Sequence, residues 1–77
     1  MIRYRVVKEV RRNEEWGAYT TYGVCGARLR DNAVTEFLYI ADVFTDRRLA
    51  DRFVAACNRG GLWIFHLPEA VEDALVQ

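Results

Sequence analysis

The chain is poor in the residues that announce chemistry. Its 77 residues include one histidine, one proline and two cysteines. Cys25 and Cys57 have no C-x-x-C spacing and no second histidine to complete a zinc site. They read as two buried thiols in a reducing compartment, since free cysteine packs as a small hydrophobe. Net charge is also missing: 11 basic groups balance 11 acidic ones, so no global field recruits nucleic acid or membrane. No apolar run approaches the roughly 20 residues of a membrane span. The chain opens on Ile2-Arg3-Tyr4-Arg5 rather than on a signal-peptide pattern, and a cytoplasmic location is expected. Repeats, low-complexity tracts and interdomain linkers are absent, which leaves a single domain over residues 1–77.

What the chain does have is apolar surface, 52% of its residues with 13% aromatic. That is ample for a domain near the lower size limit of a self-sufficient core, and the excess favours self-association. Charge is unevenly laid out. Residues 1–30 hold seven basic and three acidic groups, and residues 31–77 hold four and eight.

The repeat changes once along the chain. Ile2 to about Phe44 follows the two-residue period of strands, and Thr45 to Gln77 mostly the 3.6-residue period of helices. Strands first and helices after predict a two-layer α+β fold, a three-stranded antiparallel meander covered on one face by two C-terminal helices. The expected strands are Ile2–Val10, about Gly17–Leu29 and Val34 to about Val43. Arg11–Trp16 connects the first two, and Arg30-Asp31-Asn32-Ala33 is the second turn. Leu62–Phe65 reads as either a short fourth strand or a packed crossover.

Thr45 is the expected N-cap of the first helix, with Phe44 and Leu49 as its hydrophobic staple. Leu49, Phe53, Ala56 and Cys57 form its expected buried stripe, and Gly60 its left-handed end. The second helix starts at Pro68 and buries Leu67, Val71, Ala74 and Leu75.

Even-length turns centred on Asn13-Glu14 and Asp31-Asn32 fix a register. One face then gathers Ile2, Tyr4, Val6, Tyr19, Cys25, Leu29, Val34, Leu38 and Ile40, with the Tyr4 ring over Gly23. The other gathers Arg3, Arg5, Tyr22, Val24, Arg28, Thr35, Phe37 and Tyr39, with Phe37 opposite Gly26. The aliphatic face suits the helices. The basic, aromatic face is left over. An odd-length loop would overturn this partition, because a one-residue slip flips every side chain.

Tyr22-Gly23-Val24 in a strand, Ile40-Ala41-Asp42-Val43 before a helix, Cys57-Asn58 at its end, then His66-Leu67 and Val71-Glu72-Asp73 form a recognisable pattern. It resembles an uncharacterised family of small bacterial proteins, classed as a domain of unknown function. The likeness spans residues 19–76 and implies a bacterial, cytoplasmic, stand-alone protein. It brings no activity, cofactor or catalytic residue with it.

Candidate chemistry is sparse. His66 with Cys57 would make a nucleophile–base pair, but Cys57 falls on the buried stripe and no oxyanion donor is evident. His66 reads better as a helix-capping or half-buried residue at the entry to the second helix. Asn58-Arg59-Gly60-Gly61 follows a helix C-terminus, where the dipole repels anions, and reads as a cap rather than a phosphate nest. Arg48, Arg52 and Arg59 form a solvated face with local pairing such as Arg48 with Asp51. Glu69, Glu72 and Asp73 lack the ligand spacing of a cation loop.

The remaining constellation is the uncovered sheet face, with Arg3, Arg5, Tyr22, Val24, Arg28, Phe37 and Tyr39. Tyrosine, phenylalanine and arginine are enriched in protein contacts, and the Phe37–Ile40 run leaves neither face of its strand polar. The expectation is a small non-catalytic interaction module, a homodimer or the docking site of a protein partner, with no cofactor and no metal. Rings and arginines also suit single-stranded nucleic acid or another anion, which stands second. A Cys/His enzyme stands third.

Overall fold

Three long strands and two helices make up the chain in that order. The computed structural model describes residues 1–76. β1 (Ile2–Asn13), β2 (Gly17–Arg30) and β3 (Ala33–Phe44) form one antiparallel sheet in the order β1-β2-β3. α1 (Arg47–Gly60), a 3-10 turn at Ile64–His66 and α2 (Leu67–Leu75) follow and lie on one side of it. This is the expected two-layer α+β fold. Leu62 and Trp63 run into the 3-10 turn as a packed crossover, and no fourth strand forms among the described residues.

The two turns differ in what they do to register. Asp31 and Asn32 both have positive φ, 52° and 64°, which is the backbone of a two-residue type I′ turn between Arg30 and Ala33. The first connection is instead the three-residue loop Glu14–Trp16. Asn13 Oδ1 accepts from the Glu15 and Trp16 amides at 2.8 and 3.3 Å, and Gly17 closes the loop at φ 78°. Tyr4 therefore lies opposite Gly26 rather than Gly23. A second irregularity between Arg28 and Leu29 shifts β3 by one, so Gly26 faces Leu38 and Ala27 faces Phe37.

Each shift inverts β2 against one neighbour, and together they restore the relation of β1 to β3. Ile2, Tyr4, Val6, Leu38 and Ile40 thus share the helix side, as expected. The β2 residues are exchanged. Val24 is 0% exposed in the core beneath the helices, Tyr22 packs against that core, and Arg28 stacks on Trp63 at 4.8 Å. Tyr19 and Cys25 belong to the open side.

The helices bury a stripe rotated from the expected one. Asp46, not Thr45, is the N-cap: its backbone is extended, and its carboxylate accepts from the Arg48 amide at 2.8 Å. Ala50, Val54 and Cys57 face the sheet; with Asp46 as cap the N′ and N4 positions pass to Thr45 and Ala50, and Leu49 is 46% exposed. Leu49, Phe53 and Ala70 border a groove between α1 and α2 that Arg52 and Asp73 also line. Gly61, one residue beyond the expected Gly60, takes the left-handed cap (φ 63°) and donates to the Asn58 carbonyl. In α2, Leu67 and Val71 are buried, Ala74 is half-buried and Leu75 is exposed.

Tyr4 ties the two layers together. Its ring crosses β2 at Gly26, where a β-carbon would stand 2.7 Å from Cε1. Its hydroxyl donates to the Leu62 carbonyl at 2.6 Å. Its backbone is clamped by Asn58 at the end of α1: Oδ1 accepts from the Tyr4 amide at 2.8 Å and Nδ2 donates to the Tyr4 carbonyl at 2.9 Å. Burial pushes the Tyr4 hydroxyl up from its ordinary value. At the other end of the helix layer Arg47 stacks on Tyr22 at 5.6 Å. The hairpin continues past that point to Trp16, which is 74% exposed.

Candidate interaction face

Alternation in strands sends every second side chain away from the helices. The open side carries Arg3, Arg5, Val7 and Glu9 from β1, then Thr21, Gly23, Cys25 and Ala27 from β2, with Phe37 and Tyr39 from β3. Registered rows read Arg3–Ala27–Phe37 and Arg5–Cys25–Tyr39. The central strand is a low strip of small residues, with a basic ridge on one flank and an aromatic ridge on the other. Phe37 is 62% exposed and Tyr39 38%.

Of the seven residues expected on this face, the structure brings together Arg3, Arg5, Phe37 and Tyr39. It places Tyr22, Val24 and Arg28 on the opposite side, because the odd loop and the bulge invert β2.

Tyr39 does not simply project. Its ring lies across Gly23, where a β-carbon would be 2.9 Å from Cε1 and from the hydroxyl oxygen. That bare position lets the side chain reach across β2 towards Glu9 of β1. Glu9 also accepts from the Asp42 amide at 3.1 Å and pairs with Arg11 at 3.3 Å. The Tyr39 hydroxyl is pushed up to about 12, first by its interaction with the Glu9 carboxylate, while Glu9 is held below its ordinary value, first by the same hydroxyl.

Asp42 sits at φ 56° in an irregular stretch of β3, opposite the step from Tyr22 to Val24. Aspartate tolerates this left-handed backbone because its side chain bonds locally. The Tyr19 hydroxyl donates to Asp42 Oδ2 at 3.2 Å. Thr21, fully buried, shares its hydroxyl proton between Asp42 Oδ1 at 2.6 Å and the Phe44 carbonyl at 2.9 Å. Glu9, Tyr19, Thr21 and Asp42 thus stitch all three strands together. Sequence reasoning missed this network, and its one legible signal was an acid, Glu9, inside an otherwise basic and apolar strand.

The other candidates resolve simply. Cys57 is buried in the core and its thiol is pushed up by desolvation, the wrong direction for a nucleophile. His66 is exposed at the N-cap of α2, and its side chain makes no capping hydrogen bond. The cationic face of α1 is locally paired, Arg47 with Asp51 at 3.2 Å and Arg48 with Asp46 at 3.8 Å, rather than Arg48 with Asp51. Glu69, Glu72 and Asp73 are exposed, and among the described residues no group of three acids, thiols or imidazoles could hold a metal ion. No described helix is long and apolar enough to cross a membrane.

Compared with family models, curated proteins and solved structures, the chain matches none. Functional reasoning therefore rests on the geometry of the open face.

Proposed function

We propose that the chain is a small non-catalytic protein-interaction module that self-associates through its open sheet face. The observation that carries this reading is the aromatic ridge on β3: Phe37 is mostly exposed beside Tyr39, on a side of the sheet that no helix covers. An open antiparallel face ordinarily carries polar residues. Phenylalanine there costs hydrophobic stabilisation that contact with a second surface recovers. The arginine ridge across the strip offers donors and flat guanidinium planes to the rim of such a contact.

Single-stranded nucleic acid or another anion is the weaker reading. Arg28 and Tyr22 have left the face, and the carboxylates of Glu9 and Asp42 share it with Arg3 and Arg5. Phosphate would meet both signs of charge there.

Sedimentation at several micromolar concentrations tests the proposal. A species heavier than the monomer is expected, and Phe37→Glu shifts it towards monomer. A strictly monomeric protein, indifferent to Phe37→Glu, would refute self-association. Oligonucleotide binding that is lost with Arg5→Ala and weakened by salt would transfer the face to the second reading.

A further inference from the structure

The two outer edges of the sheet are treated differently by the rest of the chain. On β1 the Tyr4 amide and carbonyl bond to Asn58, so they point away from β2. Met1 and Leu29 exchange amine and amide bonds at 3.0 and 2.7 Å, which marks the odd-numbered residues as the hydrogen-bonded pairs of the first hairpin. The even residues of β2 then bond to β3, through Val24 with Ile40, Gly26 with Leu38 and Arg28 with Glu36. It follows that Phe37 and Tyr39 turn their N–H and C=O groups outward from the edge of β3.

The β1 edge is guarded. Asn58 occupies its polar groups at Tyr4, and the strand carries Arg3, Arg5, Lys8, Arg11 and Arg12 against one acid, Glu9. Lysine and arginine on an edge, and side chains plugged into it, are the usual defences against strand addition. The β3 edge has neither. Among the described residues no side chain bonds to the backbone of Phe37 or Tyr39. From Ala33 to Ala41 the strand has one charge, Glu36, which is paired with Arg28 of its own subunit at 3.4 Å.

We propose that the β3 edge docks against the β3 edge of a second copy, antiparallel about a two-fold axis at Phe37, joining two sheets into one. This rests on the self-association proposed above and names its geometry. A second copy is the fitting occupant because the strand is self-complementary. About that axis Phe37 meets Phe37 and Glu36 meets Leu38, with no like charges directly opposed. The aromatic ridges of the two copies become neighbours on one continuous open face. Pairing β3 with the β1 edge of another copy would meet the Asn58 plug and would not close. A two-fold contact closes at two subunits.

Amide hydrogen exchange on the wild-type protein at high and low concentration tests this, read beside sedimentation. The amides of Phe37 and Tyr39 are expected to exchange at least about tenfold more slowly when concentrated, while those of Leu38 and Ile40, bonded within the subunit, stay unchanged. A dimer whose Phe37 and Tyr39 amides exchange equally fast at both concentrations would overturn edge pairing and leave face-mediated association standing. A monomer at all concentrations would overturn both.

Discussion

Asn58→Ala offers a sharp test of how the helix layer holds the sheet. The side chain makes two hydrogen bonds to one residue, accepting from the Tyr4 amide at 2.8 Å and donating to its carbonyl at 2.9 Å. A net contribution of roughly 1 kcal/mol for each bond gives about 2 kcal/mol, since partial burial limits replacement by water. For a domain of this length that corresponds to a fall of about 8–16 °C in Tm. Asn58→Asp separates geometry from bulk. It keeps the acceptor for the amide but sets a carboxylate oxygen against the Tyr4 carbonyl, so it should cost at least as much as alanine near neutral pH. Urea unfolding followed by circular dichroism supplies the free energies, with an unchanged m-value confirming that compactness is preserved. A loss below about 0.5 kcal/mol for Asn58→Ala would show that solvent substitutes for the clamp, and the reasoning would fail.

Gly23→Ala places a β-carbon 2.8 Å from the Ile40 carbonyl and 2.9 Å from the Tyr39 ring, so the backbone must move as well as the ring. A cost of about 1–3 kcal/mol is expected from chemical denaturation, and a cost near zero would contradict the close approach. The Glu9–Tyr39 link sets two pH windows. Glu9, lowered in the folded state, contributes stability that is present above its unfolded value and lost as pH falls through the folded one. Tyr39, raised to about 12, contributes stability that is complete below its ordinary 10.0 and lost as pH climbs towards 12. Tyr39→Phe should flatten the alkaline loss in a pH series of thermal melts; an unchanged profile would exclude the link. Cys57 is expected to resist alkylation until the protein unfolds, and rapid labelling under native conditions would reopen its role as a nucleophile.

The architecture was legible because its signals are local. The switch of period near Thr45 gave the layer order, and Asp31-Asn32 announced a turn that only residues tolerant of positive φ can make. The principle that an aromatic ring covers a bare glycine was also sound. Its partners were wrong: Tyr4 covers Gly26 and Tyr39 covers Gly23. The cause lies in two features that composition does not reveal, the odd loop capped by Asn13 and the slip beside Arg28. Both depend on how the ladder closes, and each moves β2 alone. That is why Arg3, Arg5, Phe37 and Tyr39 lie on the open side while Tyr22, Val24 and Arg28 lie on the helix side. Asn58 was invisible as a clamp, since its partner lies 54 residues away.

Gly23 and Gly26 stand an odd number of steps apart, so the gaps they leave open in opposite directions. One tyrosine ring lies over the middle strand and another lies beneath it, each in the space of a missing side chain. Sliding that strand by a single position would drive a side chain into both crossings at once. The sheet is bolted through from two sides, which frees its exposed surface to change in evolution without loosening the pairing underneath.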